Sequence, residues 1–432
     1  MIIVDRALEK REKEGKPIRV GIVGAGYMGR AMVLQIEKYV PGMKCAGIYN
    51  RTPSRAEEAY RDAGITSVDK VETSSRLEES VAAGRGAITE NPDVLCEARN
   101  IDVIIEATGD VEFGAHVALK AIENGKHIVL MNAELDATVG PLLKSYADKA
   151  GVVYTNADGD QPGVIMNLYR FVKSIGYHPV LAGNIKGMQD NYRTPETQKG
   201  FAAQHKLTPQ MATSFADGTK ISMEMAVVAN ATGFKVGKRG MYGVRCHHVN
   251  EATSLFPKEK MLNGGLVDFV LGAEPGPGVF IIGHNDHPLR KPYMEYFKMG
   301  SGPLYVFYIP YHLPHLEAPL TAARAVLFGD AAVAPLGGPI CDVITIAKRD
   351  LRAGERLDGI GGFTCYGVVE NSNVCRLESL LPMGLSEGCH LKRDIPKDQP
   401  ISYNDVDLPE GRLCDKLRAE QDIHFAKLMT SD

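Results

Sequence analysis

Two aspartates one residue apart, Asp158 and Asp160, have the side chains and the spacing that a divalent cation site needs. They lie in Asn156-Ala-Asp-Gly-Asp-Gln-Pro-Gly163, directly after an apolar run. Alternate residues of an extended turn point the same way, so both carboxylates can converge on one cation or hold a proton donor. Carboxylate, carbonyl and water ligands suit magnesium or manganese. The alternative is a helix-capping loop, because aspartate is a common capping and turn residue.

A glycine-rich turn follows the first apolar run, in Ile18-Arg-Val-Gly-Ile-Val-Gly-Ala-Gly-Tyr-Met-Gly29. Gly24 permits a tight turn, Gly26 lets the backbone approach a pyrophosphate, and Gly29 lets the next helix pack against the strand. This pattern predicts that a dinucleotide binds at the turn, with Tyr27 and Met28 beside it. The alternative is an ordinary glycine turn.

The residue at position 50 indicates which dinucleotide binds. About twenty residues after such a turn, an NAD enzyme usually carries Asp or Glu for the ribose 2′-hydroxyl. This chain has Asn50 there, followed by Arg51 and Arg55. Two guanidinium groups without a carboxylate suit a 2′-phosphate, so the sequence predicts NADPH rather than NADH. The alternative is that these arginines are solvated and contact no cofactor.

Two further loops follow apolar runs, at Glu106-Ala-Thr-Gly109 and at Asn132-Ala-Glu134. The small residues around Thr108 and Gly109 let a dinucleotide lie close to backbone amides. Asn132 can reach the nicotinamide amide or a substrate hydroxyl. Because parallel strands end at one edge of a sheet, we expect these loops to lie near the cofactor.

The second half of the chain supplies candidates for substrate contacts. Lys186 and Asp190 lie where a predicted strand passes into a loop. Lys238, Arg239 and Tyr242 lie in a glycine-punctuated basic loop, which can bring cations, a hydroxyl and free amides onto a phosphate. The alternative for this loop is a solvated, flexible basic segment.

The elements that position these residues alternate between strand and helix over the first 155 residues or so, which predicts a doubly wound parallel sheet. We predict an α/β protein with a Rossmann domain at 1–156, completed by a returning helix near 317–340. Next we predict an α+β substrate and dimerisation domain at 157–316, which contains an antiparallel sheet. A small β-rich module follows at 341–432.

Composition limits the other possibilities. A formal net charge of −4 gives no reason to expect nucleic acid or an acidic membrane surface as partner. The eight cysteines include no C-x-x-C pair, which is typical of reduced thiols in a cytosol. The chain has no apolar run of the ~20 residues that span a membrane. We expect a cytoplasmic homodimer.

The three loops at strand ends resemble those of the homoserine-dehydrogenase-like family, as does Phe307-Tyr-Ile-Pro-Tyr-His-Leu-Pro-His-Leu-Glu-Ala-Pro319. The whole chain after about residue 15 is most similar to the 1-deoxy-D-xylulose 5-phosphate reductoisomerase-like branch. Residues 343–358 resemble a SAF domain.

This resemblance implies that NADPH and a divalent metal convert 1-deoxy-D-xylulose 5-phosphate into 2-C-methyl-D-erythritol 4-phosphate, in isoprenoid biosynthesis. Under that implication the metal is assigned to Asp158 and Asp160, with Glu134 or Asp190 as third ligand. Lys238, Arg239 and Tyr242 would bind the phosphate, and Lys186 would handle protons. The Ser-Glu-His-type loop of the usual reductoisomerase is absent, so no residue is transferred from that enzyme.

Two other functions compete with this one. The first is a simple dehydrogenase acting on a small hydroxy acid, aldehyde or sugar acid, which would need a lysine and a carboxylate but no metal or phosphate pocket. The second is a non-catalytic subunit that binds NADPH for regulation or scaffolding.

Overall fold

The computed structural model describes residues 3–429. The chain forms two compact units, each made of separate stretches. Unit 1 contains Met1–Asp160, Leu313–Ala334 and Ala419–Asp432, and unit 2 contains Gln161–His312 and Pro335–Arg418.

The strands of the described residues are, in chain order, β1 Ile18–Val23, β2 Met43–Tyr49, β3 Val68–Lys70, β4 Gly86–Thr89, β5 Val103–Glu106, β6 His127–Leu130, β7 Tyr154–Asn156, β8 His178–Lys186, β9 Val244–Arg245, β10 Leu266–Leu271, β11 Gly278–His284, β12 Leu304–Ile309, β13 Cys341–Ala347, β14 Cys365–Asn371, β15 His390–Leu391 and β16 Val406–Asp407.

The α-helices are α1 Val4–Lys13, α2 Tyr27–Tyr39, α3 Pro53–Asp62, α4 Ser74–Ala82, α5 Pro92–Glu97, α6 Val111–Glu123, α7 Ala133–Ala150, α8 Gln161–Ser174, α9 Pro195–His205, α10 Pro209–Ala216, α11 Thr219–Thr232, α12 Ala252–Leu255, α13 Lys258–Leu262, α14 Lys291–Tyr296, α15 Pro314–Phe328, α16 Ser372–Leu377 and α17 Leu413–Met429. Short 3-10 helices lie at Val249–Glu251, Met383–Leu385 and Tyr403–Asp405.

Unit 1 is built on a seven-stranded sheet with the order β3-β4-β2-β1-β5-β6-β7. Its strand pairs are parallel. The central strands are buried apolar runs, as expected of a sheet covered by helices on both faces. The sequence prediction of a doubly wound Rossmann sheet is confirmed. The returning helix α15 packs against α2, β5 and β6, so it completes this core.

A late part of the chain also serves unit 1. Pro141 lies inside α7, where it supplies no amide hydrogen. Nearby, the Leu142 amide donates to the Gln421 side-chain oxygen over 3.1 Å, and the Gln421 side-chain amide donates to the Thr138 carbonyl over 3.4 Å. Gln421 is itself buried. A glutamine from the final helix therefore satisfies backbone groups of α7.

Unit 2 is built on a five-stranded sheet with the order β12-β11-β8-β10-β9. Strand β8 pairs parallel with β10 but antiparallel with β11, so the sheet is mixed rather than antiparallel as expected from sequence. The physical reason is the long helical connection between β8 and β10, which allows a parallel crossover.

Helix α11 lies in the core of unit 2 and packs against both β10 and the antiparallel β13–β14 pair. Nearly all its residues are buried, as its small and apolar composition on every side requires. Residues 341–418, which include the SAF-like segment, belong to unit 2. Within residues 3–429, none of the helices has both the length and the apolar character that crossing a membrane requires.

Candidate active site

The glycine turn of unit 1 has the geometry that its sequence predicts. Gly24 has a φ of 105°, a left-handed conformation that favours glycine. A Cβ at Gly29 would overlap the carbonyl oxygen of Gly24, so the helix can pack this closely only with glycine there. Beside Gly26 there is open space. No side chain caps the N-terminus of α2, so its amide groups are left for an anion.

Asn50 connects the end of β2 to this turn. Its side-chain oxygen accepts from the Ala25 amide over 3.0 Å, and its side-chain amide donates to the Thr52 carbonyl over 2.8 Å. Arg51 and Arg55 are exposed, and neither forms an ion pair in the part of the chain that the structure describes. Tyr27 is also exposed and Met28 is half-buried. The two guanidinium groups are therefore open to a ligand anion.

Glu106, at the end of β5, organises the loops at the centre of the sheet. Its carboxylate accepts from the Thr108 amide over 2.8 Å, from the Thr108 hydroxyl, and from the Asn132 side chain over 2.9 Å. Burial raises the pKa of Glu106 to about 6. The Asn132 side chain also donates to the Asp110 carbonyl and accepts from the Leu135 amide, so it is committed to protein groups. Gly109 follows with a φ of 72°.

Sequence reasoning did not select Glu106 as a site residue. The available signal was a charged residue closing the apolar run Val103-Ile-Ile-Glu106.

The aspartate turn after β7 contacts α15. The Asp158 carboxylate accepts from the Gly159 amide over 2.9 Å and pairs with Arg324 at 3.4 Å. Glu317 packs on the same turn, because a Cβ at Gly159 would lie 2.8 Å from the Glu317 Cβ. Burial, together with the charge of Asp158, raises the pKa of Glu317 to about 7. Glu317 is thus a second carboxyl group suited to proton transfer. The sequence analysis quoted the segment 307–319 that contains Glu317 but did not select this residue.

The residues assigned to a metal do not fit one as they are placed. Both oxygens of Asp158 already bind protein groups, Asp160 is half-buried, and Glu134 lies buried in the first turn of α7. Within residues 3–429, no group of three or more His, Cys, Asp or Glu side chains is arranged to hold a metal ion. We therefore derive no step through a metal from these side chains.

Lys186 is the candidate base or acid of unit 2. It ends β8, and its ammonium donates to the Phe215 carbonyl over 2.6 Å. Burial lowers the pKa of Lys186, while the charges of Glu224 and Asp217 act in the opposite direction. Glu224 is buried on α11, facing the neighbouring Asn184 side chain at 3.5 Å. Glu224 was not selected from the sequence, because only the packing of α11 brings it to the end of β8.

Asp217 has a second, stronger partner. Its carboxylate accepts from the Lys348 ammonium over 2.9 Å, and both side chains are almost fully buried. Lys348 also donates to the Arg193 and Gly362 carbonyls, each over 2.8 Å. A lysine from the C-terminal stretch therefore holds the turn between α10 and α11, next to the carbonyl that binds Lys186.

The predicted phosphate residues are only partly available. Arg239 pairs with Glu370 at 2.8 Å and with Glu378 at 2.7 Å. Lys238 is exposed and lies 5.4 Å from the centre of the Tyr242 ring. The Tyr242 hydroxyl donates to the Gly237 carbonyl over 3.4 Å. Of these three residues, Lys238 thus has the charged group that is most accessible to a phosphate. Asp190 pairs instead with Arg193 at 3.1 Å.

Two family models match the chain. Residues 18–131 match "Oxidoreductase family, NAD-binding Rossmann fold", and residues 159–318 match "Oxidoreductase DRL, catalytic domain". Curated relatives include the homoserine dehydrogenase of Pseudomonas aeruginosa, 28% identical over 204 residues, which are 47% of this chain and 43% of that protein. Another is the homoserine dehydrogenase of Methylobacillus glycogenes, 30% identical over 28% of this chain and 26% of that protein. These matches therefore span less than half of each relative.

Solved structures that match include a homoserine dehydrogenase from Thiobacillus denitrificans, with a TM-score of 0.45 and 14% identity over 79% of this chain and 84% of that one. A probable dehydrogenase from Thermotoga maritima matches with a TM-score of 0.40 and 13% identity over 74% and 91% of the two chains. The chain is therefore similar to NAD-binding Rossmann oxidoreductases over residues 18–131, in agreement with the sheet of unit 1, and to the DRL catalytic domain over residues 159–318.

Proposed function

We propose that the protein is an NADPH-dependent oxidoreductase that reduces a carbonyl group, with Lys186 as the proton donor. The observation that carries the proposal is the amine of Lys186, held by the Phe215 carbonyl within the segment that matches the DRL catalytic model. Burial lowers its pKa, which increases the share of neutral amine that can also accept a proton.

The first substrate we propose is 1-deoxy-D-xylulose 5-phosphate, supported by the DRL match and by the family resemblance of the sequence. The reaction would rearrange the carbon skeleton to an aldehyde and then add the hydride of NADPH to its carbonyl carbon. One proton is taken up at the carbonyl oxygen, so the products are 2-C-methyl-D-erythritol 4-phosphate and NADP⁺. Lys186 would remove the hydroxyl proton during the rearrangement and return a proton to the new alkoxide.

The preference for NADPH is supported by Asn50, Arg51 and Arg55. With no carboxylate at position 50 and two exposed guanidinium groups nearby, this corner of unit 1 suits a 2′-phosphate. We expect Arg51→Ala and Arg55→Ala together to raise the KM for NADPH at least about tenfold, the equivalent of one charge-assisted hydrogen bond. The KM for NADH should change little. An equal effect on both cofactors would argue against a 2′-phosphate site.

A second candidate is a simple dehydrogenase of the homoserine type. The names of the curated relatives favour it, and so does the weak fit of the proposed metal ligands. Such an enzyme would need the lysine and the cofactor but no phosphate pocket.

One set of assays separates the two candidates. The absorbance of NADPH is followed with 1-deoxy-D-xylulose 5-phosphate, with and without Mn²⁺, and the product is identified by mass spectrometry. The reverse assay uses homoserine and NADP⁺. NADPH oxidation with formation of the methylerythritol phosphate supports the first candidate, and homoserine oxidation supports the second. Inactivity with both substrates, while NADPH still binds, would reject both assignments. We further propose that the protein is a cytoplasmic homodimer. Light scattering of the purified protein tests the dimer, and cell fractionation tests the location.

A further inference from the structure

A cavity of about 280 Å³ lies within unit 2, and its wall includes neither Lys186 nor the Phe215 carbonyl group that binds it. The polar side chains on its wall include Gln189, Ser222, Arg239, Tyr366 and Asp398. Its apolar wall includes the Phe269 ring. Its volume is near the lower end of the range for small-molecule sites, roughly 300–1,000 Å³.

Several hydrogen-bond donors on this wall already bind protein groups. The Ser222 hydroxyl donates to the Gly218 carbonyl over 2.8 Å, and the Tyr366 hydroxyl donates to Asp398 over 3.1 Å. The Gln189 amide donates to the Asn191 side chain over 3.1 Å. The guanidinium of Arg239 is engaged by two glutamates, as described above.

The acceptors, in contrast, have capacity left. The side-chain oxygen of Gln189 is buried and has no hydrogen-bond partner within residues 3–429. The Asp398 carboxylate accepts the Tyr366 hydroxyl on one oxygen and the Tyr192 hydroxyl on the other, over 2.9 Å. Each carboxylate oxygen can accept a second bond. An unpartnered buried acceptor is costly, and a ligand that donates to it would remove that cost.

The charges around the cavity favour a cation. The charged side chains on the wall are Arg239, which is already paired with Glu370 and Glu378, and Asp398, which has no ion pair within the described residues. The Lys397 ammonium does not occupy the cavity, because it lies over the exposed Tyr192 ring, 3.5 Å from the ring centroid. The aromatic rings of Phe269 and Tyr366 can pack against an apolar tail and attract an ammonium group.

We propose that this cavity binds a small primary ammonium compound with a short apolar tail, through Gln189 and Asp398. The ammonium would donate to the exposed Asp398 carboxylate and, once the Gln189 side chain turns its buried oxygen toward the cavity, to that oxygen. Its tail would lie against the aromatic and aliphatic side of the wall. This site does not depend on the oxidoreductase reaction proposed above.

The test compares n-butylammonium with n-butanol, which has a similar shape but no charge, by isothermal titration calorimetry on the full chain. We expect the ammonium to bind at least about tenfold more tightly, because a hydrogen bond to a charged group is worth more than a neutral one. Equal affinities would mean that the cavity binds only the apolar tail, which would overturn the proposal. An absence of binding heat with both probes would overturn it as well.

Two substitutions then test the contacts. Gln189→Met removes the free acceptor at similar volume. Asp398→Asn removes the charge, and asparagine tolerates the φ of 64° found at this position. We expect each to weaken n-butylammonium at least about tenfold. Asp394→Asn, an exposed aspartate that pairs with Arg352, is the matched control and should bind normally. Unchanged binding in both cavity variants would overturn the assignment.

A measurement on the unsubstituted protein covers the case of a variant that misfolds. Hydrogen–deuterium exchange with and without n-butylammonium should show protection in peptides that contain Gln189 and Tyr366. Protection confined to other regions would place the amine elsewhere and contradict the proposal.

Discussion

Nearby carboxylates usually keep a lysine protonated, but burial lowers the pKa of Lys186. We expect Lys186→Met to lower kcat by about 10² or more, the usual contribution of a positioned acid or base, with little change in NADPH affinity. Steady-state kinetics and a fluorescence titration of NADPH measure the two quantities. Lys199→Met is the control, since Lys199 is exposed and pairs only with the exposed Glu196 among its described contacts. A variant with full kcat would remove Lys186 from the reaction.

Glu317 predicts a pH dependence of stability. Its folded-state pKa of about 7 lies above the ordinary value of 4.5, so the fold favours the protonated side chain. This contribution is fully present below pH 4.5 and is lost as pH rises through about 7. We therefore expect the free energy of unfolding to fall less over this interval in Glu317→Gln than in the unsubstituted protein.

Urea unfolding at a series of pH values measures this difference. Glu106 and Asp136 are also buried with raised pKa values, so they too make the free energy of unfolding depend on pH. The contribution of Glu317 is therefore the difference between the variant and the unsubstituted protein. Glu123→Gln changes an exposed residue of α6 and is the control, for which we expect the same pH dependence of the free energy of unfolding as in the unsubstituted protein. If Glu317→Gln also kept it, the carboxyl group would have an ordinary pKa.

Residue types alone predicted which side chains could do chemistry, but not which of them are already engaged. Arg239 looks like a phosphate ligand until Glu370 and Glu378, more than a hundred positions later, are seen to hold it. Asn132 looks like a nicotinamide contact, but it caps α7 and binds Glu106. These partners come from the tertiary fold, so no local pattern indicates them.

Among the elements, the strand–turn–helix of β1 and α2 offers the sharpest test. We expect Gly29→Ala to destabilise the protein by roughly 1–3 kcal/mol, because its methyl group would meet the Gly24 carbonyl. Gly26→Ala should leave stability nearly unchanged, since the space beside it is open, but it should weaken NADPH binding by crowding the pyrophosphate. Urea unfolding and NADPH titration distinguish the two effects. Equal loss of stability in both variants would contradict the proposed division of roles.

The elements of unit 1 were predictable and those of unit 2 were less so. A run such as Ile18–Val23 followed by glycines has a strong local signal, and the seven-stranded parallel sheet follows from repeating it. The mixed sheet of unit 2 depends on which strands pair, and β8 lies between partners of opposite direction that come much later in the sequence. Periodicity does not specify such pairings.

At the scale of the whole molecule, the C-terminal stretch 335–418 has an apolar cluster of its own around Ile344 and Tyr366, and it also joins the rest of unit 2 through buried polar contacts. The Lys348–Asp217 pair is the strongest example. We expect Lys348→Met to cost about 3 kcal/mol or more, because Asp217 would stay buried without its charge partner. The double variant Lys348→Met/Asp217→Asn should recover much of this loss, since no unpaired charge remains.

Chemical denaturation of the two single variants and the double variant measures this coupling. Strict additivity of the two losses would mean that the side chains do not act as a pair. The sequence predicts a small β-rich module at 341–432, because Gly, Pro and short β runs dominate there, and the buried lysine has no signature of its own.

The use of Gln421 by α7 has a consequence for biogenesis. A chain emerges from the ribosome with its N-terminus first, and early domains generally fold during synthesis. Here the Leu142 amide and the Thr138 carbonyl gain their glutamine partner only when the final helix has been made. The sheet of unit 1 can thus form before α7 gains these two hydrogen bonds, and a polypeptide terminated before α17 would keep two unpaired backbone groups in α7, a defect that chaperones and proteases can recognise.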